Sequence, residues 1–110
     1  MTFKEYDDFA KTTAIYPEDK KVIYSAFGLA GEVGEIMEKL KKIITAGGDI
    51  QNMDNENKEE LKKELGDVIW YMSALSRDLG FNLEDIAKKN LEKLSSRKER
   101  GVIHGEGDNR

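Results

Sequence analysis

Glu32 and Glu35 are spaced E-x-x-E, and Glu64 and Asp67 are spaced E-x-x-D in a later segment. Each pair lies in a strongly helical pattern, and on an α-helix residues three apart are neighbours on one side. Two such helices packed together would bring four carboxylates to one place. Two unit charges about 4 Å apart repel by roughly 4 kcal/mol at an effective dielectric near 20, so such a cluster needs a cation, bound protons or wide spacing. The chain has no cysteine and one histidine. Its donors are therefore hard oxygens, and Mg²⁺ is the natural occupant, with Mn²⁺ as a substitute.

The elements that must position these acids read as four helices. Thr2 followed by Glu5 is a capping box that opens a helix over about 2–14, which Pro17 stops. A second helix over about 20–44 carries the apolar stripe Val22, Ala26, Leu29, Val33, Ile36, Leu40 and Ile44 and ends at Gly47-Gly48. Residues 49–57 are polar and read as a loop. Asn57 with Glu60 opens a third helix over about 58–79, with the stripe Leu61, Leu65, Val68, Met72, Leu75 and Leu79. Gly80 ends it. Asn82 with Asp85 opens a fourth over about 83–97. The remainder, about 98–110, reads as an irregular tail. The spacing of the stripes predicts an all-α, four-helix bundle-like single domain spanning residues 1–110.

At about 100° per residue, Glu32 falls on the edge of the second helix's stripe and Glu35 further round on the same side. Glu64 and Asp67 repeat that arrangement on the third helix. If the stripes pack, the edges meet and the acids share a cleft. Gly28, Gly31, Gly34 and Gly66 lie inside these helices, each at a cost of roughly 1 kcal/mol relative to alanine. Gly28 and Gly31 flank the acidic side, where the missing side chains would clear room for a ligand or a neighbouring backbone.

The fourth helix begins its stripe with Leu83 and Ile86, then places Asn90 and Arg97 where apolar residues should continue, with Lys93 beside them. Such a row would serve to hold phosphate oxygens, or it is a solvated helix end favoured by the helix dipole. Lys39 and Lys42 continue the Glu35 face and are expected to pair with Glu35 or Glu38. Trp70 falls almost opposite the stripe of its own helix, so a second buried face is expected there, either a subunit contact or a wall for base stacking.

Bulk properties narrow the classes. Charged residues make up 36% of the chain and its mean hydropathy is −0.66, as expected for helices with wide solvated faces. The net charge of −4 argues against a polymeric nucleic acid as partner. No apolar run is long enough to span a membrane and the N-terminus is not a signal peptide. The absence of cysteine fits a cytoplasmic setting. A thin core and no disulfide predict a homo-oligomer, a homodimer or a dimer of dimers.

The segments GLAGEVGEIMEKLKK, KKELGDVIWYMSALSRDLG and IAKKNLEKLSSRKERG together resemble the MazG-like nucleotide pyrophosphohydrolases of the all-α nucleotide pyrophosphatase superfamily. The likeness spans Tyr24 to Arg100, and the ordered set of motifs is far more specific than either acidic pair alone. The resemblance implies Mg²⁺-dependent cleavage of nucleoside triphosphates to monophosphate and pyrophosphate, in nucleotide-pool house-cleaning. It implies Glu32, Glu35, Glu64 and Asp67 as the metal ligands and catalytic acids, with Asn90, Lys93 and Arg97 on the phosphate side. Trp70 is the candidate for the base. A four-helix di-iron oxidase is disfavoured, since that class uses Glu-x-x-His pairs and no such pair stands near the acids. A non-catalytic helical module for dimerisation or regulation is the remaining alternative.

Overall fold

The structure is a computed structural model that describes all 110 residues. It is all-α, with four helices and no strand: α1 Phe3–Ala10, α2 Ile23–Thr45, α3 Asn55–Asp78 and α4 Leu83–Glu99. The expected architecture is present, and the differences in boundary have local causes. The Thr2–Glu5 and Asn82–Asp85 capping boxes form as expected. Helix α1 is shorter than expected because its backbone tightens into a 3₁₀ turn over Lys11–Thr13. Asp54, not Asn57, caps α3, its carboxylate accepting the Asn57 N–H at 2.8 Å. Gly47 and Gly80 adopt the left-handed φ values, +84° and +91°, that end α2 and α3.

Val22 does not join the stripe of α2. It lies just outside the helix at φ 67°, ψ −56°, the centre of a γ-turn closed by the Ile23 N–H on the Lys21 carbonyl at 2.8 Å. That geometry is rare and strained for a β-branched residue. A carboxylate brought from the far end of α3 holds it. Asp78 accepts the Val22 N–H at 3.0 Å, the Ser25 hydroxyl at 2.9 Å and the Tyr16 hydroxyl at 2.9 Å. It thereby supplies the N-terminal cap that α2 lacks in its own sequence. Asp7 plays the matching part on α1, accepting the Ser73 hydroxyl from α3 and the Leu83 N–H at the start of α4.

Helices α2 and α3 form the main pairing, an antiparallel hairpin, with α1 and α4 attached near its open end by these carboxylates. Small residues make the crossings tight. Ala10, Ser25, Ser73, Ala74 and Ser76 are buried, whereas most of the large apolar residues are not. Val33, Met37 and Ile44 on α2, and Leu65 and Ile69 on α3, are exposed, although their spacing is that of a packed stripe. The radius of gyration is 17.0 Å, against about 13 Å for a compact domain of this length.

Candidate metal centre and phosphate-side residues

The pairing of α2 with α3 brings Glu32, Glu35 and Glu64 together, one carboxylate oxygen of each lying within 4.8 Å of the others. Asp67 is exposed at the rim and is not in this trio, but it stands near enough to act on Glu32. Burial, then the like charges of Asp67, Glu35 and Glu64, raise the Glu32 carboxyl above its ordinary value. The cluster thus carries uncompensated negative charge.

One cation reaches it. Lys39 does not pair along its own helix with Glu35 or Glu38 as expected. It crosses to α3, its Nζ lying 2.7 Å from Glu64 Oε1 and 3.6 Å from Glu60, because the helix pairing brings a deeper partner within reach. The other oxygen of Glu64 is buried with no hydrogen-bond donor. A carboxylate oxygen in that state is costly unless something binds it. An all-oxygen trio with one orphaned ligand atom fits a small hard divalent ion, so the side chains present suit a metal of the Mg²⁺ type.

Aromatic rings flank the acids. Tyr71 packs over Gly28, where a Cβ would lie 2.0 Å from the ring, so one of the α2 glycines makes room for a side chain of the same molecule. The other three, Gly31, Gly34 and Gly66, have nothing within 4 Å of an added Cβ. Burial, then Tyr24, Glu32 and Asp67, raise the Tyr71 hydroxyl above its usual range, which places it beside the cluster. Trp70 meets Tyr71 edge to face at 4.9 Å and donates its indole N–H to the Thr13 hydroxyl at 2.7 Å. The face expected to await a partner subunit is therefore partly covered by the 3₁₀ turn that follows α1. That pairing joins residues 57 apart in sequence, and no spacing rule signals it.

The residues expected on the phosphate side lie elsewhere. Asn90 and Lys93 line a cleft of about 910 Å³ between α4 and the C-terminal segment, together with Phe81, Ile86, Asp108 and Asn109, and none of the four acids lines it. Arg97 is 6% exposed and donates to the carbonyls of Gly107 at 3.2 Å and Asp108 at 3.1 Å. The structure thus assembles the acidic trio within one chain but does not bring Asn90, Lys93 or Arg97 to it.

The all-α fold with an acidic cluster able to hold a metal ion defines a helical, carboxylate-rich protein. Comparison with known families makes this specific. The chain belongs to the MazG nucleotide pyrophosphohydrolase family, whose domain model matches residues 25–102. It is also similar to the Gene 37 protein of Mycobacterium phage L5, 43% identical over 111 residues and covering 96% of each chain. No solved structure matches at a significant level. No helix is long and apolar enough to cross a membrane.

Proposed function

We propose that this chain hydrolyses nucleoside triphosphates to nucleoside monophosphate and pyrophosphate with Mg²⁺, or Mn²⁺ in its place, in nucleotide-pool house-cleaning. The observation that carries this reading is the convergence of Glu32, Glu35 and Glu64, with one Glu64 oxygen buried and unsatisfied, within a chain of the MazG family. Bound there, the ion would neutralise phosphate charge and sharpen a water as nucleophile. The three glutamates would hold and orient the ion. The water attacks the α-phosphorus, the bond to the bridging oxygen breaks, and pyrophosphate leaves. Asp67, at the rim and outside the trio, is the acid free to take the proton released by the water. Trp70 and Tyr71 offer a wall for the base, and Asn90, Lys93 and Arg97 the polar side for phosphates.

A second copy of the chain completes the site in this reading. The accessible surface is 8348 Å², against about 6,200 Å² for a compact monomer of this mass. The excess matches an obligate interface in size. The exposed stripe of Met37 and Ile44 on α2 and Leu65 and Ile69 on α3 is a face that a second hairpin would bury to make a four-helix core. Such an arrangement also offers α4 of one chain a route to the acids of the other.

The test is a panel of natural and oxidised nucleoside triphosphates incubated with Mg²⁺, with products read by phosphorus NMR. Equal release of pyrophosphate and monophosphate, abolished by a chelator, is the expected result. Orthophosphate as the product, or no turnover for any nucleotide with protein that binds Mg²⁺, would refute it and favour a non-catalytic regulatory module.

A further inference from the structure

The C-terminal segment has no helix or strand, as expected, yet it is folded back on itself. Arg110 fastens it to itself, Nε donating to the Val102 carbonyl at 3.1 Å, Nη2 to Ile103 at 3.0 Å and Nη1 to Gly107 at 2.6 Å. Arg100 grips the Arg110 carbonyl at 2.6 Å. The positive φ values of Gly101, Gly105 and Gly107 let the chain turn back tightly enough for this. The result is a folded lobe set against α4.

What the lobe presents to α4 is an anion. The Asp108 carboxylate lies 3.1 Å from Lys93 Nζ and 3.5 Å from Arg97 Nη2. It is the one acidic side chain on either cation. The carboxylate is 85% exposed while the Arg97 side chain is only 7% exposed, so the anion sits on the solvent side of the guanidinium. The backbone carbonyls of Gly107 and Asp108 take up the same guanidinium nitrogen, and the Arg97 Nε is buried without a partner. A guanidinium with an unsatisfied donor is held below its hydrogen-bonding capacity. A phosphate chain would offer the same pair more charge and more acceptor oxygens than one carboxylate can.

We propose that Asp108 is an intramolecular competitor for polyphosphate, occupying the Lys93–Arg97 pair until a phosphate chain displaces the C-terminal lobe. This rests on Lys93 and Arg97 as the phosphate-side cations of the function proposed above, and adds that they are masked in the free chain. The docked lobe lowers apparent affinity by the fraction of time the pair is free: if the lobe is docked nine-tenths of the time, the apparent Kd rises about tenfold. Asp108 carries an unusually acidic carboxyl, chiefly through its hydrogen bond with Lys93, which agrees with an engaged anion at neutral pH.

The probe is inorganic tripolyphosphate, titrated calorimetrically into the full-length chain without metal, so that turnover plays no part. Asp108→Asn removes the competing charge and Arg110→Ala loosens the lobe without touching either cation. Each should bind tripolyphosphate about three- to tenfold more tightly than the wild type, with melting temperature recorded to show that each is folded. Adding Lys93→Ala to Asp108→Asn should erase the gain. Unchanged or weaker binding in folded Asp108→Asn overturns the proposal, as does a gain that survives loss of Lys93. The two proposals fail separately: a chain that hydrolyses triphosphates but shows no gain lacks the competitor, and one that gains affinity without hydrolysing retains it.

Discussion

Lys39 and Glu64 join α2 to α3 by a 2.7 Å ion pair at the edge of the acidic trio. The ammonium takes one oxygen of Glu64 and leaves the other buried and bare. Lys39 therefore both offsets part of the cluster's charge and competes with any ion for Glu64. Lys39→Ala should lower the melting temperature of the metal-free protein only slightly, since a solvent-screened ion pair contributes little to stability. The same change should enlarge the rise in melting temperature that Mg²⁺ produces, because a ligand held more tightly by the native state stabilises it more. Thermal scans with and without Mg²⁺ measure both. A smaller Mg²⁺ effect in the variant would mean that Lys39 holds Glu64 in place for the ion.

The unequal placement of the four acids predicts unequal losses. Glu35→Gln and Glu64→Gln should each reduce turnover by about 100-fold or more, the scale of losing one strong electrostatic contact of about 2.7 kcal/mol, and should abolish the Mg²⁺-induced thermal shift. Asp67→Asn should reduce turnover as well but retain most of that shift, since Asp67 lies outside the trio. Steady-state kinetics paired with thermal scans on the three variants separate the roles. Equal loss of the shift in all three would make Asp67 a full ligand.

Asp78 makes stability depend on acid. Its burial pushes the carboxyl up, but the Val22 N–H, the Tyr16 and Ser25 hydroxyls and Arg77 outweigh that, and it lies below its ordinary value of 3.8. A carboxyl depressed in the folded state binds fewer protons there than when unfolded, so its contribution is full above pH 3.8 and drains away as pH falls through the folded value. Asp78→Asn should cost about 2–3 kcal/mol near neutrality, as expected for disturbing several bonds to one partly buried charge. That difference from the wild type should shrink below pH 3.8. Urea unfolding of both proteins between pH 2 and 7 supplies the comparison.

Helix α3 shows where the sequence was a sufficient guide and where it was not. Its stripe and the position of Glu64 follow from a period of 3.6, and its glycine stop, like the capping boxes of α1 and α4, from residue type at the helix ends. Asp7, Asp78 and Trp70 were illegible as tertiary pins, because each acts through partners more than 50 residues away that only the packing brings near. Arg97 was legible as a polar break in a stripe, but its burial depends on glycine-permitted turns in a segment with no periodicity. The expected partners of Lys39 lay on its own helix; the facing acids of α3 offered a shorter pair.

The exposed face of the α2–α3 hairpin sets the last expectation. Met37 is 55% and Leu65 53% exposed, although both lie on apolar stripes, and Trp70 is engaged by Thr13 within the chain. Light scattering should therefore report twice the chain mass of 12.5 kDa at micromolar concentration. Met37→Asp, roughly opposite Glu35 on the helix and away from the acids, tests which face pairs. On a free monomer this change at an exposed position should alter stability by no more than about 0.5 kcal/mol. In a dimer built on this face it buries a charge in an apolar interface, and two copies of the substitution face each other across the two-fold axis. The variant should then run as a monomer or lose its cooperative melt, with hydrolysis falling alongside assembly. A wild-type chain that stays monomeric, or a Met37→Asp dimer of unchanged affinity, would rule out this face as the interface.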